Sequence, residues 1–177
     1  MEGNTQKYDS AGTSLNQVPA LIKIIEKREE LTKEQVLLDY GGGKYDKAKE
    51  YIEGTHKVQY FIYDPYNRSK EHNKAALAQK ADIVMLSNVL NVIREPDVRQ
   101  RLLRKIKKHM KPGARLYVRV YNAPKSAAYQ EDPHPGQPTK GGTCWQNCQP
   151  LSYYYEEIRG VLPNISIKKG YLVTTKD

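Results

Sequence analysis

One short run in the chain has the residue types and spacing for close contact with a ligand: Asp39-Tyr40-Gly41-Gly42-Gly43. Glycine lets backbone approach a bound group closely and accepts positive φ without a steric cost. The next acidic residue that can share such a site is Asp64, 21 positions after Gly43. A carboxylate at about that distance, at the end of the following strand, can accept hydrogen bonds from both ribose hydroxyls of an adenosine. A dinucleotide site calls instead for G-x-G-x-x-G, and the third position after Gly43 is Asp46, which repels a pyrophosphate at a helix N-terminus. The sequence also contains no G-x-x-x-x-G-K-[ST]. An uncharged or cationic adenosine ligand fits best, and Asp39 suits an ammonium or sulfonium centre.

Elements able to hold these residues in place are legible on both sides. Gln35 to Tyr40 reads as an apolar strand stopped by the glycines, and Lys44 to Glu53 reads as the helix after them. Further strands are expected over Val58 to Tyr63, Asp82 to Ser87 and Arg115 to Tyr121. A helix from about Pro96 to Met110 carries Val98, Leu102, Leu103 and Ile106 at helical spacing, with the turn Lys111-Pro112-Gly113 behind it. An earlier helix, Leu15 to Lys27, has Pro19 in its first turn and Thr13 and Ser14 as capping residues. After a Pro- and Gly-rich stretch over 122–150 come a helix, Leu151 to Val161, and two short strands, Ile165 to Lys168 and Tyr171 to Thr175, that form an antiparallel edge. Strands alternating with helices imply an α/β fold: a Rossmann-like, doubly wound, mostly parallel sheet with helices on both faces. The expected organisation is a loose N-terminus, 1–14, followed by one domain over 15–177.

These motifs, in this order, resemble the class I S-adenosylmethionine (SAM)-dependent methyltransferases. The resemblance rests on Asp39-x-Gly41-x-Gly43, on Asp64, on Ala81-Asp82-Ile83-Val84-Met85-Leu86-Ser87-Asn88-Val89-Leu90, and on the Leu103 to Val120 block containing Lys111-Pro112-Gly113. It implies SAM as cofactor, with Gly41 and Gly43 under its methionine part, Asp64 on its ribose, and Ser87 and Asn88 beside its methyl group. Tyr40, Gly42, Pro65 and Tyr66 complete the implied cofactor shell. One departure concerns the interval between Asp64 and Asp82, where only 17 residues stand in place of the strand and two helices usual in that family. One helix, Glu71 to Gln79, fits there, so the sheet is expected to lack its outer strand. Tyr66, Asn67 and Arg68 are then candidates to line the adenine pocket.

Candidates for the chemistry itself are fewer. Asn88, Asn91 and Tyr121 are the polar groups expected near the acceptor, while Trp145 and Gln146 are expected in a loop that covers substrate. Asp64-Pro65-Tyr66 looks like a fragment of the amine clamp of base N-methyltransferases, but its spacing from Gly43 fits the ribose better. Cys144 and Cys148 are misplaced for a cytosine C5 nucleophile and too few for a structural zinc site, so no metal is expected. His72 reads as a surface residue, and His109 as a cation favouring the C-terminal dipole of its helix. A net charge of +9 favours anionic partners, and the basic stretch Arg99 to Lys111 reads as the outer face of a helix, with nucleic acid as a possible contact. Nothing in the sequence is apolar for long enough to span a membrane or to act as a signal peptide, so a cytoplasmic protein is expected. The acceptor is left open between a small molecule and a nucleic acid. The alternative is a methyltransferase-like binding protein, without catalysis, acting through its basic surface on nucleic acid or on a protein partner.

Overall fold

The computed structural model describes residues 15–121, 137–138, 145–147 and 149–177. Four parallel strands form its centre: β1 (Val36–Tyr40), β2 (Gln59–Tyr63), β3 (Ala81–Ser87) and β4 (Met110–Arg119). Every residue of β1 is buried, as an interior strand covered on both faces requires. Helices α1 (Ala20–Arg28), α2 (Lys47–His56), α3 (Lys70–Ala76) and α4 (Pro96–His109) connect or precede these strands. The chain then forms a two-residue ladder, β5 (Gln137–Pro138) with β6 (Trp145–Gln146), a 3-10 turn at Leu151–Tyr154 and a short helix, α5 (Tyr155–Arg159). The closing strands are β7 (Asn164–Lys168) and β8 (Tyr171–Thr175).

The six-stranded order is β2-β1-β3-β4-β8-β7. β8 runs antiparallel to both β4 and β7, so the final hairpin closes one side of the sheet. On the other side β2 is the edge, as the short interval after Asp64 led us to expect. Side chains take up several of the outward backbone groups of β2 and of Asp64 just after it. Tyr60 N–H donates to Glu53 Oε1 at 3.2 Å, the Ile62 carbonyl meets His72 Nε2 at 2.9 Å, and Asp64 N–H and C=O both bond the Asn73 carboxamide. Side chains from α2 and α3 thus do what a neighbouring strand would do for β2.

Hydrophobic side chains pack on both faces of the sheet. Leu38, Val84, Leu116 and Val118 belong to one cluster together with Leu103 and Ile106 of α4 and Ile158 of α5. Leu37, Ile83 and Met85 face the other way, against Leu21, Ile22 and Ile25 of α1 and Ile52 of α2. The alternation between Leu37 and Leu38, or Val84 and Met85, is the period of two that a strand imposes.

Several boundaries differ from the sequence reading for local reasons. α1 begins at Ala20, with Pro19 as an extended N-cap at ψ 139°, because a proline disfavours helical backbone in the residue before it. Thr13 and Ser14 fall outside the described residues. The turn Lys111-Pro112-Gly113 lies within β4, where three more residues stand on β4 than on β3 between the pairs Ala81–Met110 and Ile83–Arg115. Gly113 takes φ +75° there and donates to the Lys176 carbonyl at 2.8 Å. The helix expected over Leu151 to Val161 is a 3-10 turn followed by α5.

The basic stretch is only partly a solvated face. Arg99 is completely buried; its guanidinium grips both Glu157 carboxylate oxygens, at 2.8 and 2.6 Å, and donates to the carbonyls of Ile93 and Arg94 at 2.7 Å. Lys107 donates to the Val161 carbonyl at 2.8 Å, and Lys111 pairs with Asp82 at 2.8 Å. His109 is held below its ordinary pKa by burial and by nearby Lys80, which works against the positive charge expected at that helix end. No helix among the described residues is long and apolar enough to cross a membrane.

Candidate functional site

A cleft of about 930 Å³ opens beyond the carboxyl ends of β1, β2, β3 and β4, where ligands bind in open α/β sheets. Its floor at one end is the glycine turn, and two backbone features show why glycine is required. Gly41 adopts φ +86°, and a Cβ there would stand 2.6 Å from Val89 Cγ2. At Gly42 a Cβ would fall 2.5 Å from Asp39 Oδ2. The turn is pressed between Val89, two residues after β3, and the Asp39 carboxylate.

That carboxylate is unusual. Asp39 is 2% exposed, and its Oδ2 accepts from the Tyr60 hydroxyl at 2.8 Å. Its Oδ1 has no hydrogen-bond partner among the described residues. Burial drives the Asp39 pKa up to about 7, and the charge on Asp64 adds to the rise; the Tyr60 hydrogen bond and the Arg68 charge oppose it. An acceptor oxygen left unpaired in a buried place costs about 1–3 kcal/mol, and here it belongs to a residue that lines the cleft.

Asp64 is bound on nearly every side. Oδ2 accepts Gly43 N–H at 2.9 Å, while Oδ1 accepts the backbone N–H of Tyr66 and of Asn67, at 3.0 and 2.9 Å, and the Asn67 amide at 3.1 Å. Each carboxylate oxygen offers about two acceptor positions; Oδ1 already accepts three bonds and Oδ2 one, so the position left open is on Oδ2. Arg68 fixes the same turn from below, with Nε on the Gly43 carbonyl at 2.7 Å and a terminal nitrogen on Asp46 at 2.8 Å. The sequence reading offered Arg68 as a pocket wall; it braces the loop and is not among the cleft-lining residues.

Other expected residues divide clearly. Tyr40, Gly41, Gly42, Gly43, Pro65, Tyr66, Asn67, Ser87, Asn88 and Tyr121 all line the cleft with Asp39 and Asp64. Asn88 holds φ +59° and donates its backbone N–H to the Arg119 carbonyl at 2.8 Å. A left-handed non-glycine residue at a strand end is a common mark of a functional position. Asn91 does not line the cleft: it is buried behind it, its carbonyl accepting Asn147 N–H at 2.6 Å. Gln146 is half-buried in β6 and does not line the cleft, while the backbone of Trp145 pairs with Pro138 and its side chain falls outside what the structure describes. Cys144 and Cys148 lie outside the described residues. His72 caps β2 and leaves the site to others.

Sequence reasoning missed the far half of the cleft. Val92, Ile93, Val98 and Leu102 from the β3–α4 region line it, as do Leu151 and Ile167 from the C-terminal third and Leu15, Gln17 and Pro19 ahead of α1. Arg101, Lys105, Arg119 and Lys168 lie among them. For Val98 and Leu102 the helical period was a signal, but it marks a face and not whether that face meets another element or a cavity.

A family model described as a methyltransferase domain matches residues 16–154. The chain belongs to this methyltransferase-domain family. Its structure is similar to that of PigF with S-adenosylhomocysteine bound (TM-score 0.60, 13% identity, covering 89% of this chain and 55% of that one). It is equally similar to DesVI of Streptomyces venezuelae, at TM-score 0.60 and 12% identity over 89% of this chain and 90% of that one. Human N-acetylserotonin methyltransferase in complex with SAM gives TM-score 0.56 and 16% identity, over 87% of this chain and 51% of that enzyme. The chain therefore spans about half the length of PigF and of the human enzyme. At these identities the likeness is one of fold, a class I Rossmann-like methyltransferase fold. Comparison with curated proteins gives no significant sequence match.

Proposed function

We propose that the chain is a SAM-dependent methyltransferase whose cofactor occupies the glycine-turn end of the cleft, with a small molecule or a nucleic acid as acceptor. The unpaired Asp39 Oδ1 carries the reading. It is a buried acceptor beside the only run of three consecutive glycines in the sequence, and it suits an ammonium donor or a bridging water. The vacancy on Asp64 Oδ2 admits one ribose hydroxyl, which narrows the two expected from spacing alone. Tyr66 and Asn67, held by Asp64, are placed to bound the adenine in the absence of an outer strand.

When bound, SAM supplies an electrophilic methyl group on a sulfonium. The protein's part is alignment of an acceptor with that group, for which Ser87, Asn88 and Tyr121 stand at the ends of β3 and β4. Among the described residues lining the cleft there is no His, Cys or Glu, and the two Asp residues are at the glycine-turn end. This observation favours the second reading, a binding protein without catalysis.

Calorimetric titration with SAM and S-adenosylhomocysteine tests the site. Saturable binding is expected, weakened at least tenfold in Asp64→Ala. No binding at millimolar ligand, or equal binding by the variant, refutes it. Methyl transfer to any acceptor then separates enzyme from binding protein.

A further inference from the structure

The cleft is electrically divided. Both lining acids, Asp39 and Asp64, are buried at the glycine-turn end. The other charged lining residues are Arg101 and Lys105 on α4, Arg119 at the end of β4 and Lys168 at the end of β7. A solvated helix face places its charges on one element. Here three different elements bring theirs to one opening. Arg101 pairs with Asp97 and Arg119 reaches the Gly170 carbonyl at 3.4 Å, so the two lysines are the least committed of the four.

Exposed apolar side chains gather at the same place. Among the described residues, the large hydrophobic side chains left exposed are Leu15, Tyr121, Tyr153 and Ile167, and of these Leu15, Tyr121 and Ile167 line the cleft. Tyr121 is 52% exposed and Ile167 50%. Scattered exposed hydrophobics need no explanation, but a concentration of them at a concave basic opening does.

We propose that this half of the cleft binds a phosphate-bearing nucleobase, as a free nucleotide or within a single strand, and that this is the methyl acceptor. The proposal rests on the cofactor reading above for the acceptor role. Four cations spread across an opening exceed what a single carboxylate engages, and successive phosphates match them. A flat exposed tyrosine among cations is the pairing by which bases are stacked while their backbone is neutralised. The contact lies at the cleft mouth, and from the basic stretch of α4 it draws on Arg101 and Lys105.

The test uses the full chain and fluorescence anisotropy with labelled single-stranded RNA and DNA of about ten nucleotides, within the usual span of such sites, and competition by mononucleotides. Binding is expected to weaken with salt, and the log–log slope to shrink by about 1.4 in Lys105→Gln/Lys168→Gln, about 0.7 for each cation removed from a single-strand contact. Tyr121→Ala is expected to lose roughly tenfold at every salt concentration. Lys27→Gln/Lys33→Gln, exposed and away from the cleft, serves as the control and keeps its affinity. Competition by mononucleotide identifies the free nucleotide as the source; binding of the strand alone identifies the strand. No binding of either probe, unchanged binding in the cleft double variant, or an equal loss in the control overturns the proposal. Titration with S-adenosylhomocysteine on the same proteins is independent of these outcomes: normal cofactor binding with no nucleotide binding refutes this proposal alone, and the converse refutes the cofactor site and with it the acceptor role, leaving the nucleotide site standing.

Discussion

Replacing Asp39 by Asn puts the buried carboxylate to the test. Folding moves the Asp39 pKa from 3.8 to about 7, so the folded protein holds a proton over a pH range in which the unfolded chain has released it. Stability is therefore greatest below about pH 4 as far as this group is concerned, and falls as pH rises towards 7, levelling off above it. A shift of about three units corresponds to roughly 4 kcal/mol at about 1.4 kcal/mol per unit, an upper figure because neighbouring groups and water relax. Asn keeps the volume and can still accept from Tyr60, but has no charge to bury. Asp39→Asn is thus expected to be more stable than the parent by about 1–3 kcal/mol at pH 8, to keep less than half of that advantage at pH 5 and to lose it below about pH 4. Urea denaturation at the two pH values measures it. Parallel stability profiles for parent and variant between pH 5 and 8, or a parent more stable at pH 8, refute the assignment of a strained carboxylate beneath the turn. A gain in stability joined to weaker SAM binding would be the pattern of a group retained for its ligand.

Two further substitutions address the walls of the cleft. Gly41→Ala puts a methyl group 2.6 Å from Val89 Cγ2 at φ +86°; a cost of about 1–2 kcal/mol from the left-handed backbone alone is expected, with at least a tenfold loss of SAM affinity by calorimetry. Val89→Ala in the same chain should recover part of the steric loss and none of the backbone cost. Glu157→Gln leaves the buried Arg99 guanidinium without its counter-charge and is expected to destabilise by about 3–5 kcal/mol, measured by urea denaturation. Since Arg99 also holds the carbonyls of Ile93 and Arg94, the far wall of the cleft should loosen with it, seen as faster amide exchange over Leu90–Arg94.

Much of this architecture was written in local pattern. The four parallel strands, the glycine turn and the position of Asp64 follow from apolar runs broken by residues with one conformational use. Even the edge position of β2 was legible, because 17 residues cannot hold another strand with its crossings. What escaped the sequence depended on partners far along the chain. Arg99 finds Glu157 58 residues later, and a charge run is silent about such a partner. The spacing Arg99, Leu103, Ile106 did place the arginine on the apolar stripe, a signal stronger than its charge. The far half of the cleft was invisible for the same reason: Ile167, Lys168 and Leu15 meet only after the chain has crossed the sheet. Arg68 has no motif, and its bond to Gly43 exists only because the turn after β2 folds back beneath the turn after β1.

The side chains that cap β2 have a consequence for the molecule among its neighbours in solution. A bare edge strand is a template on which another polypeptide can add by hydrogen bonding. Glu53, His72 and Asn73 occupy the positions such an intruder would need, so the loss of an outer strand does not leave an adhesive margin. A smaller sheet is tolerable because three polar side chains, set on helices needed anyway for the crossovers, occupy bonds that amyloid-like growth or unwanted pairing would need.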